Sequence, residues 1–88
     1  MNLSAPSSKQ RAPRFKVAKA GIIKFGDRTV QCLVRNLSET GAAMEVVNQP
    51  FGIPPKFELI LPGDGVSQLC RVAWRRDHRI GVAFVFPT

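Results

Sequence analysis

Turn-forming residues punctuate this chain at short intervals, and none of the apolar runs between them has a long helical period. Gly26-Asp27-Arg28, Asn36 to Gly41, Asn48 to Pro55, Pro62-Gly63-Asp64-Gly65 and Asp77-His78 divide the stretch from Ala18 to Phe86 into short segments. Within those segments the apolar residues alternate. Cys70, Val72 and Trp74 are separated by Arg71 and Ala73; Phe57, Leu59 and Leu61 alternate against Lys56 and Glu58; Val30, Cys32 and Val34 share a face opposite Gln31 and Arg35. A period of two puts one set inside and the other in water, which is the signature of a half-buried strand. The predicted strands are Ala20 to Phe25, Thr29 to Asn36, Ala42 to Val47, Lys56 to Leu61, Ser67 to Arg75 and Arg79 to Phe86. Strands this short, joined mostly by hairpin-length connections, favour an all-β fold: a small six-stranded antiparallel β-barrel, because closure removes the unpaired edges that a flat sheet would expose.

Length and charge refine this expectation. The chain has 88 residues, 44% of them hydrophobic, enough for one small core and too short for two. Dinucleotide-binding folds and parallel α/β barrels need roughly twice this length or more and are excluded. The net charge is +7, yet no acidic residue precedes Asp27, while Lys9, Arg11, Arg14, Lys16, Lys19 and Lys24 are all basic. The remainder is nearly neutral. Met1 to Ser8 is small, polar and Pro-containing and reads as a disordered leader. Residues 9–17, with Pro13 restricting the backbone, read as a basic, irregular tether, and residues 18–88 as the barrel. An excess of positive charge concentrated in a short tether points to an anionic partner.

Catalysis finds little support. His78, the single histidine, sits in a predicted turn with no nucleophile near it in sequence, and the acidic residues are scattered rather than paired, so the chain is read as a non-enzyme with no catalytic residues. Cys32 and Cys70 form no C-x-x-C and no Cys/His group, which argues against a metal site and against a disulfide-stapled scaffold, although a single bridge between them stays open on sequence alone. Both fall on predicted inward faces and read as buried structural thiols. Trp74, in phase with Cys70 and Val72, reads as core rather than as a stacking platform. There is neither a bilayer-length apolar run nor a signal-type segment before residue 20, so the expectation is a cytoplasmic protein without membrane insertion.

Two segments stand out: Lys9 to Phe15, and Asn36-Leu37-Ser38-Glu39-Thr40-Gly41. Asn and Ser can stabilise their own turn, and Gly can take the positive φ that a turn requires, so the loop alone is open to a structural as well as a functional reading. Its setting is more specific. A basic leader ending in Pro13-Arg14-Phe15 precedes a strand, a hairpin and a second strand ending in N-x-S-x-x-G, and the chain closes on V-A-W-R and I-G-V-A-F. This arrangement resembles the PilZ domain family over about Lys9 to Phe86, and the loop matches that family's [D/N]-x-S-x-x-G motif at all three defined positions.

The resemblance implies a six-stranded barrel that binds the second messenger cyclic di-GMP, with the arginine segment lying across the barrel beside the loop. It carries over to Arg11, Arg14, Asn36, Ser38 and Gly41, with Gln10 as a weaker member. The residue types suit the ligand. A guanidinium can pair with phosphate, stack on a guanine or meet its O6 and N7 atoms bidentately, and Asn and Ser offer short, directed hydrogen bonds. One position departs from the pattern. The family's first motif is R-x-x-x-R, and with its second arginine on Arg14 the first falls on Gln10, which lacks both charge and planar fork. The expected role is a receptor or adaptor with no cofactor beyond its ligand, passing the signal to an unidentified protein effector. A PilZ-fold adaptor that acts through protein contacts without the nucleotide is the alternative. Nucleic acid is disfavoured as a partner: Arg71, Arg75, Arg76 and Arg79 are not interleaved with a stacking series of aromatics and read as a solvated strand face.

Overall fold

The computed structural model describes residues 14–46 and 52–86. The predicted disordered leader over residues 1–8, most of the tether, and the site candidates Gln10 and Arg11 lie outside the described residues. What is described is a closed antiparallel barrel of β1 (Phe15–Phe25), β2 (Arg28–Leu37), β3 (Gly41–Val46), β4 (Lys56–Leu61), β5 (Val66–Arg76) and β6 (Arg79–Phe84). Around the barrel the strands run β1-β2-β3-β6-β5-β4, and β4 pairs back onto β1 through Ile22↔Ile60, Ile23↔Leu59 and Lys24↔Glu58. The all-β, six-stranded expectation holds.

Alternation sorts the strands as expected along most of their length. Ile23, Cys32, Val34, Met44, Val46, Phe57, Leu59, Leu61, Cys70, Ile80 and Val82 point inward and are buried, with Ile53 closing one end. The hairpin between β1 and β2 turns at Gly26, at φ 60°, and that between β5 and β6 at Asp77, at φ 54°. Pro62–Asp64 forms a single 3-10 turn capped by Gly65 at φ 66°.

The strand limits differ most at the start. β1 begins at Phe15, five residues ahead of the predicted Ala20, because β2 runs long enough to pair with it as far as Phe15↔Leu37 and Lys16↔Asn36. The extension was invisible to a search for alternation because the register shifts between Lys16 and Lys19. Val17 still packs on the core, while Lys16 and Lys19 stand on the barrel wall, where Lys19 Nζ lies 2.9 Å from Asp64 Oδ2. At the other end of the chain β6 stops at Phe84, two residues short of the predicted Arg79 to Phe86, and Phe86 is exposed.

Two further irregularities matter for function. In β2 the register shifts between Val34 and Asn36, leaving Arg35 as the extra residue; in β5 it shifts between Val72 and Trp74, leaving Ala73. An inserted residue turns every later side chain of its strand to the opposite face. Trp74 is therefore not in the core. It is 45% exposed on the outer wall, and the predicted phase of Cys70, Val72 and Trp74 fails at the bulge.

Candidate functional site

The irregularities in β1, β2 and β5 border one groove on the outside of the barrel. Beyond the β2 bulge Asn36 pairs with Lys16 on one side and Ala43 on the other; Ala43 pairs with Gly81, and Gly81 with Trp74. This cross-strand row runs from a cation and an amide, over small residues, to an indole. The groove has a volume of about 380 Å³ and is lined at one end by Arg14, Asn36 and the Ser38 to Gly41 loop, and at the other by Trp74. Its floor is Ala43, Ala73 and Ala83, with Gly81 beneath the Trp74 indole. Side chains this small leave the sheet surface low enough for a flat ring system to lie against it, between the indole and a guanidinium. An adjoining depression of about 290 Å³ shares Arg14, Asn36, Ala43 and Trp74 and adds Lys16, Arg35, Glu45 and Arg79.

The loop is built by Ser38. Its Oγ accepts from the amides of Thr40 and Gly41 at 3.2 and 3.1 Å, and its own amide donates to the Gly41 carbonyl at 2.9 Å. The Thr40 carbonyl in turn accepts from the amide of Phe84 at 2.8 Å, tying the loop to β6. Ser38 thus shapes the groove's rim through the backbone, while Asn36, half-buried beside Arg14, offers an amide to the groove itself.

Gly41 departs from its predicted conformation. The glycines at positive φ are Gly26, Gly52 and Gly65, and Gly41 is not among them. Its requirement is one of space: a Cβ there would collide with the carbonyl oxygen of Val82, because β3 and β6 approach closely where Gly41 pairs with Ala83. Gly81 serves a similar purpose on the next strand. A Cβ at that position would run into the Trp74 indole, which covers it.

Of the site residues expected from sequence, the structure brings together Arg14, Asn36, Ser38 and Gly41. The residue that sequence reading missed is Trp74. Its V-A-W-R setting was visible, but the bulge that turns it outward was not.

Cys32 and Cys70 are buried inside the barrel and free, with no disulfide between them. Burial pushes the Cys32 thiol up to about 12, reinforced by the neighbouring Cys70; burial likewise raises Cys70 to about 11, partly offset by a backbone hydrogen bond at Leu59. A thiolate would be unfavourable there, so these are structural thiols. A thiol whose folded value lies above the unfolded 9.0 keeps its proton in the barrel after the unfolded chain has lost it. Its stabilising contribution is therefore complete below pH 9 and declines as the pH rises towards 11 and 12. Thermal melts should show a drop in midpoint between pH 8 and pH 10.5 that is smaller in a Cys32→Ala, Cys70→Ala variant. The chain has no tyrosine, so phenols do not titrate across this window.

Fold and groove together define a class: a small closed barrel that presents on its outer wall a groove with a guanidinium at one end and an indole at the other. The chain matches the PilZ domain model over residues 8–88, nearly its whole length, and belongs to that family. PilZ domains in general are binding and adaptor domains associated with cyclic di-GMP, and some do not bind it. Compared with the curated proteins, the chain has no significant match. Among the described residues, no helix is long and apolar enough to cross a membrane, and no group of His, Cys, Asp and Glu is placed to hold a metal ion.

Proposed function

We propose that this PilZ domain is a cytoplasmic receptor that binds cyclic di-GMP in the outer groove and passes the signal to a protein partner. The observation that carries the reading is the convergence of Arg14, Asn36, the Ser38 to Gly41 loop and Trp74 on one groove with a floor of alanines. Each part answers to a part of the ligand. A guanine can lie on the small-residue floor against the indole, Arg14 can pair with a phosphate or stack on a base, and Asn36 can hydrogen-bond a base edge. By resemblance to the family, Arg11 and, more weakly, Gln10 contribute to binding the same ligand. The domain acts by binding, with no cofactor and no catalytic step, and a ligand-dependent surface is what its effector would read.

Trp74 is the single tryptophan, so its fluorescence reports on the groove directly. Titration of the purified protein with cyclic di-GMP should change that emission and release or absorb heat. Neither signal at about 100 µM ligand, equivalent to roughly −5.5 kcal/mol, would overturn the reading. Arg14→Ala should weaken binding by about tenfold or more, as expected for loss of a charged hydrogen bond. Lys16→Ala should weaken it less, because Lys16 lines only the adjoining depression. Equal effects would mean that diffuse charge, rather than a placed guanidinium, holds the ligand.

Gln10 in the R-x-x-x-R position favours a second reading, in which the domain keeps the fold and engages its partner without the nucleotide. A nucleic-acid role is less well supported than either. Arg75 donates to the Ile53 carbonyl, and Arg79 is paired with Glu45, so two of the four C-terminal arginines are engaged within the barrel.

A further inference from the structure

The two depressions differ in charge. The main groove is lined by no acidic residue, whereas the adjoining one contains Glu45 among four cations, Arg14, Lys16, Arg35 and Arg79. Glu45 faces outward from β3, opposite Leu33 on β2 and Arg79 on β6. Both nearby guanidiniums go to its carboxylate. Arg35, the extra residue of the β2 bulge, has Nη1 3.4 Å from Oε1, and Arg79 donates through Nε to Oε2 at 3.2 Å. The side chains of Arg35 and Arg79 are 50% and 62% exposed, so these pairs add little to stability. Their effect falls on the groove. One carboxylate restrains two guanidiniums at the edge of the site and cancels part of the field that a phosphate would otherwise meet there.

We infer that Glu45 is a specificity-determining residue of the ligand groove: it holds Arg35 and Arg79 back from anions and so confines phosphate binding to the Arg14 end. The inference rests on reading the groove as a site for a phosphate-bearing ligand. Neutralising Glu45 frees two forked cations in the depression that Asn36, Ala43 and Trp74 share with the main groove. Because Glu45 is partly exposed and, among the described residues, its carboxylate bonds Arg35 and Arg79 alone, glutamine in its place keeps the shape and leaves no buried charge.

The test uses the full chain and inorganic pyrophosphate as a probe that carries phosphate without a base, read by calorimetry and Trp74 emission. Glu45→Gln should bind pyrophosphate about three- to tenfold more tightly than the wild type. Asp64→Asn, which removes the same charge from an ion pair with Lys19 outside both depressions, should leave the affinity unchanged. Adding Arg79→Gln to Glu45→Gln should remove part of the gain, and adding Arg35→Gln as well should remove the rest. No gain in Glu45→Gln, or an equal gain in Asp64→Asn, overturns the inference. A parallel titration with cyclic di-GMP separates the two readings. If neither protein binds it while Glu45→Gln gains for pyrophosphate, the proposed ligand is wrong and the role of Glu45 stands. If cyclic di-GMP binds and Glu45→Gln gains nothing for pyrophosphate, the ligand stands and the role of Glu45 falls.

Discussion

Replacing Gly41 by alanine is expected to lower the stability of the barrel by up to about 3 kcal/mol, the upper part of the range for forcing a methyl group into a closely packed site. The atom in the way is a backbone carbonyl oxygen, that of Val82, which cannot swing aside as a side chain can. Relief requires β3 and β6 to separate at Gly41↔Ala83, and this strains the amide of Phe84 on the Thr40 carbonyl. A domain of this size loses roughly 4–8 °C in melting temperature per kcal/mol, so a loss approaching about 3 kcal/mol puts the variant's midpoint roughly 12–24 °C below the wild type. Binding should fall with it. Val82 and Ala83 line the groove, and the Gly41 amide is one of the donors that fix Ser38. Gly63 provides the internal comparison, since a Cβ there meets nothing within 4 Å. Gly63→Ala should melt close to the wild type. A Gly41→Ala protein with unchanged midpoint and unchanged ligand affinity would show that the close approach of the two strands is not needed.

This reason for Gly41 marks the boundary of what the sequence made legible. The N-x-S-x-x-G spacing was plain, and the loop lies at the groove as the motif implies. A glycine at the end of a turn reads by default as a conformational requirement, because positive φ is a local property. A clash with Val82 is set by a strand about forty residues further along the chain, and no local pattern announces it. The core was legible for the opposite reason. Burial of Phe57, Leu59 and Leu61 follows from alternation alone, and each is buried.

Trp74 and β1 fail in the same way as each other. Reading faces from alternation assumes an unbroken register, and a bulge breaks it with a single residue of no distinctive type: Ala73 before Trp74, Arg35 before Asn36. Alternation carried Trp74 inward with Cys70 and Val72; the inserted Ala73 sends it outward to stand over Gly81. Bulges are frequent beside binding sites because they re-aim side chains without disturbing the core. Here the bulges supply both ends of the groove, that of β2 setting Asn36 at one and that of β5, which defeated the local reading, setting Trp74 at the other. Gly81 then acquires a purpose that its sequence context did not show, since any larger residue would displace the indole.

The remaining large effect concerns the segment that precedes Arg14. Gln10→Arg restores R-x-x-x-R, and its expected consequence is a gain in cyclic di-GMP affinity of about 10- to 150-fold, the equivalent of one charged hydrogen bond of about 1.5–3 kcal/mol. The gain should depend on the guanidinium and not on charge alone. Gln10→Lys adds the same charge as a compact ammonium without a planar fork, so it should recover only part of the effect. Arg11→Ala tests whether the neighbouring arginine already serves in place of Gln10. If it does, that substitution costs the wild type much of its affinity and costs Gln10→Arg little. The groove described above is common to all these variants, and Trp74 emission reads each of them on the same scale. A wild type that binds weakly or not at all, beside a Gln10→Arg variant that binds well, would mean that barrel and loop are competent and that the tether alone sets the affinity. The wild-type domain would then belong with the PilZ adaptors that act without the nucleotide. No gain in Gln10→Arg, together with an Arg11→Ala variant that binds as the wild type does, would instead place the limit in the groove, where Arg14, Asn36 and Trp74 converge.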